Sequence, residues 1–187
     1  MKEQIAEYLI SLYKDIPMAV YEGLLSVLCL GTVAIIVCYG LKRSLKWIVG
    51  LLLVEYIFLI FCSTVIYRKG YEEAGYELSP FWSYTAIQEG RTELLTENIM
   101  NVVAFVPIGL LLGIGIPRLK WWYALLIGFY LSSSIEILQF VFKKGFSEFD
   151  DVMHNTFGCI LGYILVKGSR LMVKSSGLIN RITIKTI

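Results

Sequence analysis

Five apolar runs organise the chain, each bounded by charged or turn-forming residues. A hydrocarbon core of about 30 Å takes roughly 20 residues of helix. The runs at 20–41, 45–67, 97–116, 121–142 and 152–173 all reach that length. The third and fifth open on polar residues, so their apolar parts are shorter. The pattern predicts an all-α fold, a polytopic transmembrane bundle of about five membrane-spanning helices. It divides the chain into an amphipathic segment (1–19), a two-helix scaffold (20–67), a loop with an aromatic motif (68–96), a three-helix core (97–173) and a basic tail (174–187). Ile5, Leu9, Leu12 and Ile16 recur at helical spacing, which suits a short helix lying on the membrane surface or a polar frayed end. Glu3, Glu7 and Asp15 argue against a cleavable signal peptide.

The long connection begins polar, passes Ser79-Pro80-Phe81-Trp82-Ser83-Tyr84 and ends in an expected helix over 85–95. Its aromatic residues suit a membrane interface, and connections this long are often functional.

Composition agrees with the pattern. Hydrophobic residues make up 57% of the chain and charged ones 17%, with mean hydropathy +0.68. Disorder, a disulfide-stapled secreted domain and an ordinary cytosolic enzyme are excluded. Cys29, Cys38, Cys62 and Cys159 fall inside the runs without a C-x-x-C pair and read as apolar fillers.

Charge placement gives an orientation. Lys42, Arg43, Lys46, Arg118, Lys120, Lys167, Arg170, Lys174, Arg181 and Lys185 would share one side of a five-span bundle with no Asp or Glu. The other side has seven basic residues and nearly all the acids. Counting Lys and Arg places the tail in the cytoplasm and the N-terminus outside a cytoplasmic membrane.

Polar residues within the last three runs share helix faces. Asn98, Asn101, Phe105 and Gly109 follow i, i+3, i+7, i+11; Ser132, Glu136 and Gln139 follow i, i+4, i+7; Asp151, Asn155, Gly158 and Gly162 follow i, i+4, i+7, i+11. Pro107 should kink its helix. Gly109/Gly113 and Gly158/Gly162 form G-x-x-x-G pairs that let helices approach closely. An intramembrane carboxylate costs about 2.5–3.5 kcal/mol or more unless paired or wet. The economical reading is one pocket facing the outer leaflet or the extracellular space, lined by Asn98, Asn101, Glu136, Gln139, Asp151 and Asn155. Glu55 is the one charge in the middle of the first two runs.

Structural roles compete with this reading. Thr96 and Asp150 suit helix caps, Glu97 and Asp151 suit the positive end of a helix dipole, and capping alone would account for Glu97, Glu148 and Asp150. Asn101, Gln139 and Asn155 suit hydrogen bonds between helices, worth about 0.6 kcal/mol each. His154, the sole histidine, lies four residues after Asp150 and suits a salt bridge, a proton relay or a plain interfacial position.

At these residues the chain resembles the VanZ-like family of bacterial membrane proteins. The stretches that carry the resemblance are ENIMNVVAFVPIG at 97–109, SIEILQ at 134–139 and FSEFDDVMHNTFGCILG at 146–162, with Pro80-Phe81 upstream. Together they cover roughly residues 78–166. The family often has an arginine before the acidic cluster; here Lys143-Lys144-Gly145 stands instead, leaving no arginine there for bidentate recognition of phosphate or carboxylate. The resemblance implies resistance to teicoplanin-type glycopeptide and lipoglycopeptide antibiotics.

Three mechanisms are compatible with the residues. In the first, the pocket holds a membrane lipid, a lipid-linked cell-wall precursor or the tail of a lipoglycopeptide. Asn98, Asn101, Gln139 and Asn155 then bind the head, Glu136 or Asp151 reads hydroxyls, amines or sugars, and Lys143 and Lys144, with His154 beside them, form the rim. In the second, the chain is a membrane enzyme with Glu136 as base and Asp150 and Asp151 as oxygen ligands to a divalent cation. The third, a transporter, lacks repeat symmetry. No zinc cluster, nucleotide loop or Ser-His-Asp spacing is present, no cofactor is identified, and the basic tail is explained by a cytoplasmic leaflet rather than nucleic acid. No pattern fixes the oligomeric state.

Overall fold

The computed structural model describes residue 10 and residues 13–175, without the side chains of 41–43, 174 and 175. Most of the expected amphipathic segment and nearly all of the basic tail lie outside the described residues. Helix α1 spans Met18–Tyr39 and α2 spans Leu41–Phe61, extended by a π-helical turn at Cys62–Ile66. A short strand β1 (Gly75–Glu77) and a short helix α3 (Trp82–Gln88) follow. Then come α4 (Glu93–Gly115), α5 (Trp121–Val141), strand β2 (Phe146–Glu148) and α6 (Phe149–Ser175). Five of the helices are long and apolar enough to cross a membrane, as the apolar runs predict.

Helices α4 and α6 form the centre. A β-carbon on Gly109 would overlap the Cys159 carbonyl, one on Gly158 the Val102 carbonyl, and one on Gly162 the Val106 carbonyl. The two backbones therefore touch, which only glycine permits. A β-carbon on Gly128 of α5 would sit 2.9 Å from Cys159 Cβ and 3.2 Å from Thr156 Cα, so α5 also closes on α6. Phe105, Ile108, Leu112, Ala124, Ile135, Cys159 and Tyr163 fill the space between, with Ile60 from α2. Pro107 leaves a carbonyl one turn back without its usual donor. Beside it, Tyr56 of α2 donates to the Ala104 carbonyl at 2.8 Å. Helix α1 buries no residue and packs on α2.

The long connection differs from expectation. Gly90, at φ 107°, ends the short helix, and α4 begins at Glu93 rather than at 97. The helix expected over 85–95 is thus two elements separated by a left-handed turn, a conformation glycine adopts without strain. Strand β1 pairs in parallel with β2, Tyr76 opposite Ser147, and ties the connection to the start of α6.

Candidate functional site

At the end of the bundle carrying these strands lies a cavity of ≈ 580 Å³. Helix α4 contributes Glu97 and Asn101, α5 Glu136 and Gln139, α6 Asp151 and Asn155. The connection after α2 adds Arg68, Tyr71 and Glu73, β2 adds Glu148, and the segment before α1 adds Tyr13 and Asp15. Ile60, Met100, Phe105 and Ile135 supply apolar lining. The helical spacing read from the sequence thus brings Asn101, Glu136, Gln139, Asp151 and Asn155 around one space.

Their local fixing is visible. Glu136, 5% exposed, accepts the Glu148 N–H on Oε2 at 2.9 Å. Gln139 donates from Nε2 to the Thr64 carbonyl at 3.2 Å. Asn155 donates to Ser132 Oγ at 2.8 Å, and Asn101 reaches Asp151 through its side chain. Asparagine and glutamine therefore serve both readings at once: they join helices and line the cavity.

Other predicted residues stand elsewhere. Asn98 and Asn101 are three residues apart, about 60° around a helix, and Asn98 points to α3 instead. Its Nδ2 donates to Ser83 Oγ at 3.1 Å. Asp150, fully buried, accepts the Phe81 N–H at 2.6 Å, the Ser83 N–H at 3.0 Å and the Ser83 hydroxyl at 2.6 Å. With its oxygens so occupied, Asp150 is a fastening for α3 and does not converge with Asp151 on a cation. Among the described residues no group of three or more acidic, histidine or cysteine side chains is arranged for a metal. His154 meets the Tyr84 hydroxyl through Nε2 at 2.8 Å, on the same fastening. Lys143 and Lys144 do not line the cavity: their amines donate to the Glu72 carbonyl at 3.0 Å and the Arg68 carbonyl at 2.9 Å, latching the connection. Glu55 is likewise absent from the lining.

Arg68 is the cation that the sequence reading missed. Its guanidinium packs on Gly145, beside the Gln139 side-chain oxygen, and its charge acts on Glu97, Glu136 and Asp151. The space next to Gly145 that lacked an arginine in sequence is filled by one from another loop. The available signal was position: Arg68 is the first charge after the second apolar run, level with the polar faces. Glu148 was read as a helix-end charge, yet its carboxylate lines the cavity and accepts the Trp82 indole N–H at 3.1 Å. Burial, then the neighbouring Asp151 and Glu97 carboxylates, push its carboxyl up to about 8. Among the described residues, carboxyl groups in the cavity outnumber the one guanidinium, that of Arg68.

A family model described as VanZ/LLP1 matches residues 47–173. The chain belongs to the VanZ/LLP1 family. Among curated proteins, Protein VanZ of Enterococcus faecium is 33% identical over 92 residues, 49% of this chain and 52% of that protein. The chain thus spans about half the length of this curated relative. No solved structure matches the chain. The VanZ/LLP1 match takes in every cavity residue named above except Tyr13 and Asp15, and leaves α1 outside.

Proposed function

We propose that the chain contributes to resistance against teicoplanin-type glycopeptide and lipoglycopeptide antibiotics by holding the polar head of a lipid-linked envelope component, or of a lipid-tailed antibiotic, in the acidic cavity. The observation that carries this reading is a cavity of ≈ 580 Å³ ringed by carboxylates and amides at one end of a set of membrane-length helices. That volume suits a small organic group. Its apolar lining, Ile60, Met100, Phe105 and Ile135, comes from membrane-length helices and would meet a tail. Kinship with a protein named VanZ and membership of the VanZ/LLP1 family support the link to resistance. The distribution of Lys and Arg supports a cavity on the outer face of the cytoplasmic membrane.

A second reading, catalysis with Glu136 as general base, draws on the fixed position of that carboxylate at the cavity wall. One experiment addresses both. A susceptible Gram-positive host expresses wild type, Glu136→Gln and Asn155→Ala at matched protein levels, and teicoplanin susceptibility is measured. Loss of resistance in both variants, with expression and melting unchanged, supports the cavity as the working site. Full resistance in both removes it. Loss with Glu136→Gln alone favours a charged or proton-accepting role.

A further inference from the structure

The chemistry of the cavity defines which head group it admits. Among the described residues six carboxyl groups line it, those of Asp15, Glu73, Glu97, Glu136, Glu148 and Asp151, against one guanidinium, Arg68. The two lysines nearest in sequence, Lys143 and Lys144, are turned onto backbone carbonyls and offer nothing to the interior. Like charges in one enclosed space raise one another's energy, and a cation relieves them. A phosphate would add to that charge and meet only an arginine already facing three acids. The volume far exceeds that of a bare ion, and the amides of Asn101 and Gln139 supply hydrogen-bonding groups next to the acids. Glu136 is more than nine-tenths buried and clamped at the wall by the Glu148 N–H, an arrangement that holds one carboxylate ready for a donor entering the space.

We propose that the cavity selects a head group bearing a primary amine, bound between Glu136 and Asp151, with Arg68 as the resident cation that it displaces or partners. This rests on the head-group reading above and narrows it to a chemical class. Two sources share that chemistry, an amine carried by a membrane lipid and a water-borne amine.

The test uses the full chain in neutral nanodiscs. Binding of dioleoyl lysyl-phosphatidylglycerol and dioleoyl phosphatidylglycerol is measured by native mass spectrometry, with lysine methyl ester as soluble competitor. The two lipids differ only in the aminoacyl group. Wild type is expected to hold the lysyl lipid at least tenfold more tightly. Glu136→Gln should reduce that preference to threefold or less, and Arg68→Gln should increase it. Should Glu136→Gln fail to fold, Asp151→Asn reads the same charge. Displacement by lysine methyl ester at comparable concentration assigns the site to water-borne amines, and its failure to compete assigns it to lipid-borne ones; each supports the amine class. Equal binding of the two lipids, or a preference that survives both acid substitutions, overturns the amine selectivity while leaving the head-group reading intact. Absence of saturable binding for both lipids and for the ester overturns both.

Discussion

The guanidinium of Arg68 lies against Gly145: a β-carbon on that glycine would sit 3.1 Å from Arg68 Cζ and 3.1 Å from Gln139 Oε1. Those neighbours are ends of flexible side chains, so alanine can be accommodated by a shift of a few tenths of an ångström. The shift moves Arg68, the one cation among the described residues that line the cavity. Gly145→Ala is expected to keep expression and melting near wild type while changing teicoplanin susceptibility at least twofold. Gly145→Val, which adds two methyl groups on the same side, should have the larger effect. Unchanged susceptibility in both variants, at matched protein levels, would show that the position of Arg68 does not matter.

Asp150 should be required for folding. It is fully buried and accepts three hydrogen bonds from Phe81 and Ser83, while Asn98 extends the same set to α4. Bonds to a charged acceptor contribute about 1.5–3 kcal/mol each, and removing the acceptor leaves buried donors unpaired. Asp150→Ala is expected to lower the melting temperature by several degrees and to expose the segment 78–92 to protease. Ser83→Ala, which removes one donor, should do less. Wild-type melting of Asp150→Ala would contradict the fastening role.

These two cases show where sequence was informative and where it was not. Glu136, Gln139, Asp151 and Asn155 could be placed on common helix faces because helical periodicity is local, and length and hydropathy fixed the five long helices. Arg68 could not be placed, because it reaches Gly145 across 77 positions by way of a loop with no period. The same holds for the three-residue parallel pairing of β1 with β2, too short to show alternation. Asp150 and Asp151 are adjacent in sequence and identical in type, yet one holds α3 and the other faces the cavity. Only the position of Ser83 separates them.

The contact of α4 with α6 predicts a steep dependence on side-chain size. Gly109, Gly158 and Gly162 each face a carbonyl of the partner helix with no space for a β-carbon. Gly162→Leu or Gly158→Leu is expected to abolish or strongly reduce folded yield in size-exclusion chromatography, since neither backbone can recede without emptying the core around Phe105 and Ile108. Gly168→Leu, where nothing stands in the way, should behave as wild type. Equal yields for all three would mean that the helices do not meet at these glycines.

The placement of Lys and Arg predicts an orientation that labelling can test. Glu89 and Lys120 are exposed at opposite ends of the bundle, one after α3 and the other before α5. A membrane-impermeant maleimide is expected to label Glu89→Cys in intact cells and Lys120→Cys only after permeabilisation. The reverse pattern would place the cavity on the cytoplasmic side.

The last prediction concerns pH. The carboxyl of Glu148 is pushed up to about 8 by burial and by the Asp151 and Glu97 carboxylates, with the Trp82 indole opposing and Asp150 adding to the rise. In the unfolded chain the same group titrates near 4.3. Below the unfolded value both states are protonated and Glu148 has no effect on stability. Between the two values the folded state retains a proton that the unfolded state has released, so stability falls as pH rises, and the loss is complete above about 8. Glu148→Gln keeps an oxygen for the Trp82 N–H and cannot ionise. Relative to wild type, its melting temperature in detergent is therefore expected to be similar at pH 4 and higher at pH 8.5, with the gap opening across that interval. A gap that is constant with pH would show that Glu148 acts through packing alone. A gap of opposite sign, with the variant less stable at pH 8.5, would mean that the ionised carboxylate is held by a cation, and Arg68→Gln combined with Glu148→Gln would then identify Arg68 as that partner if the two losses fail to add.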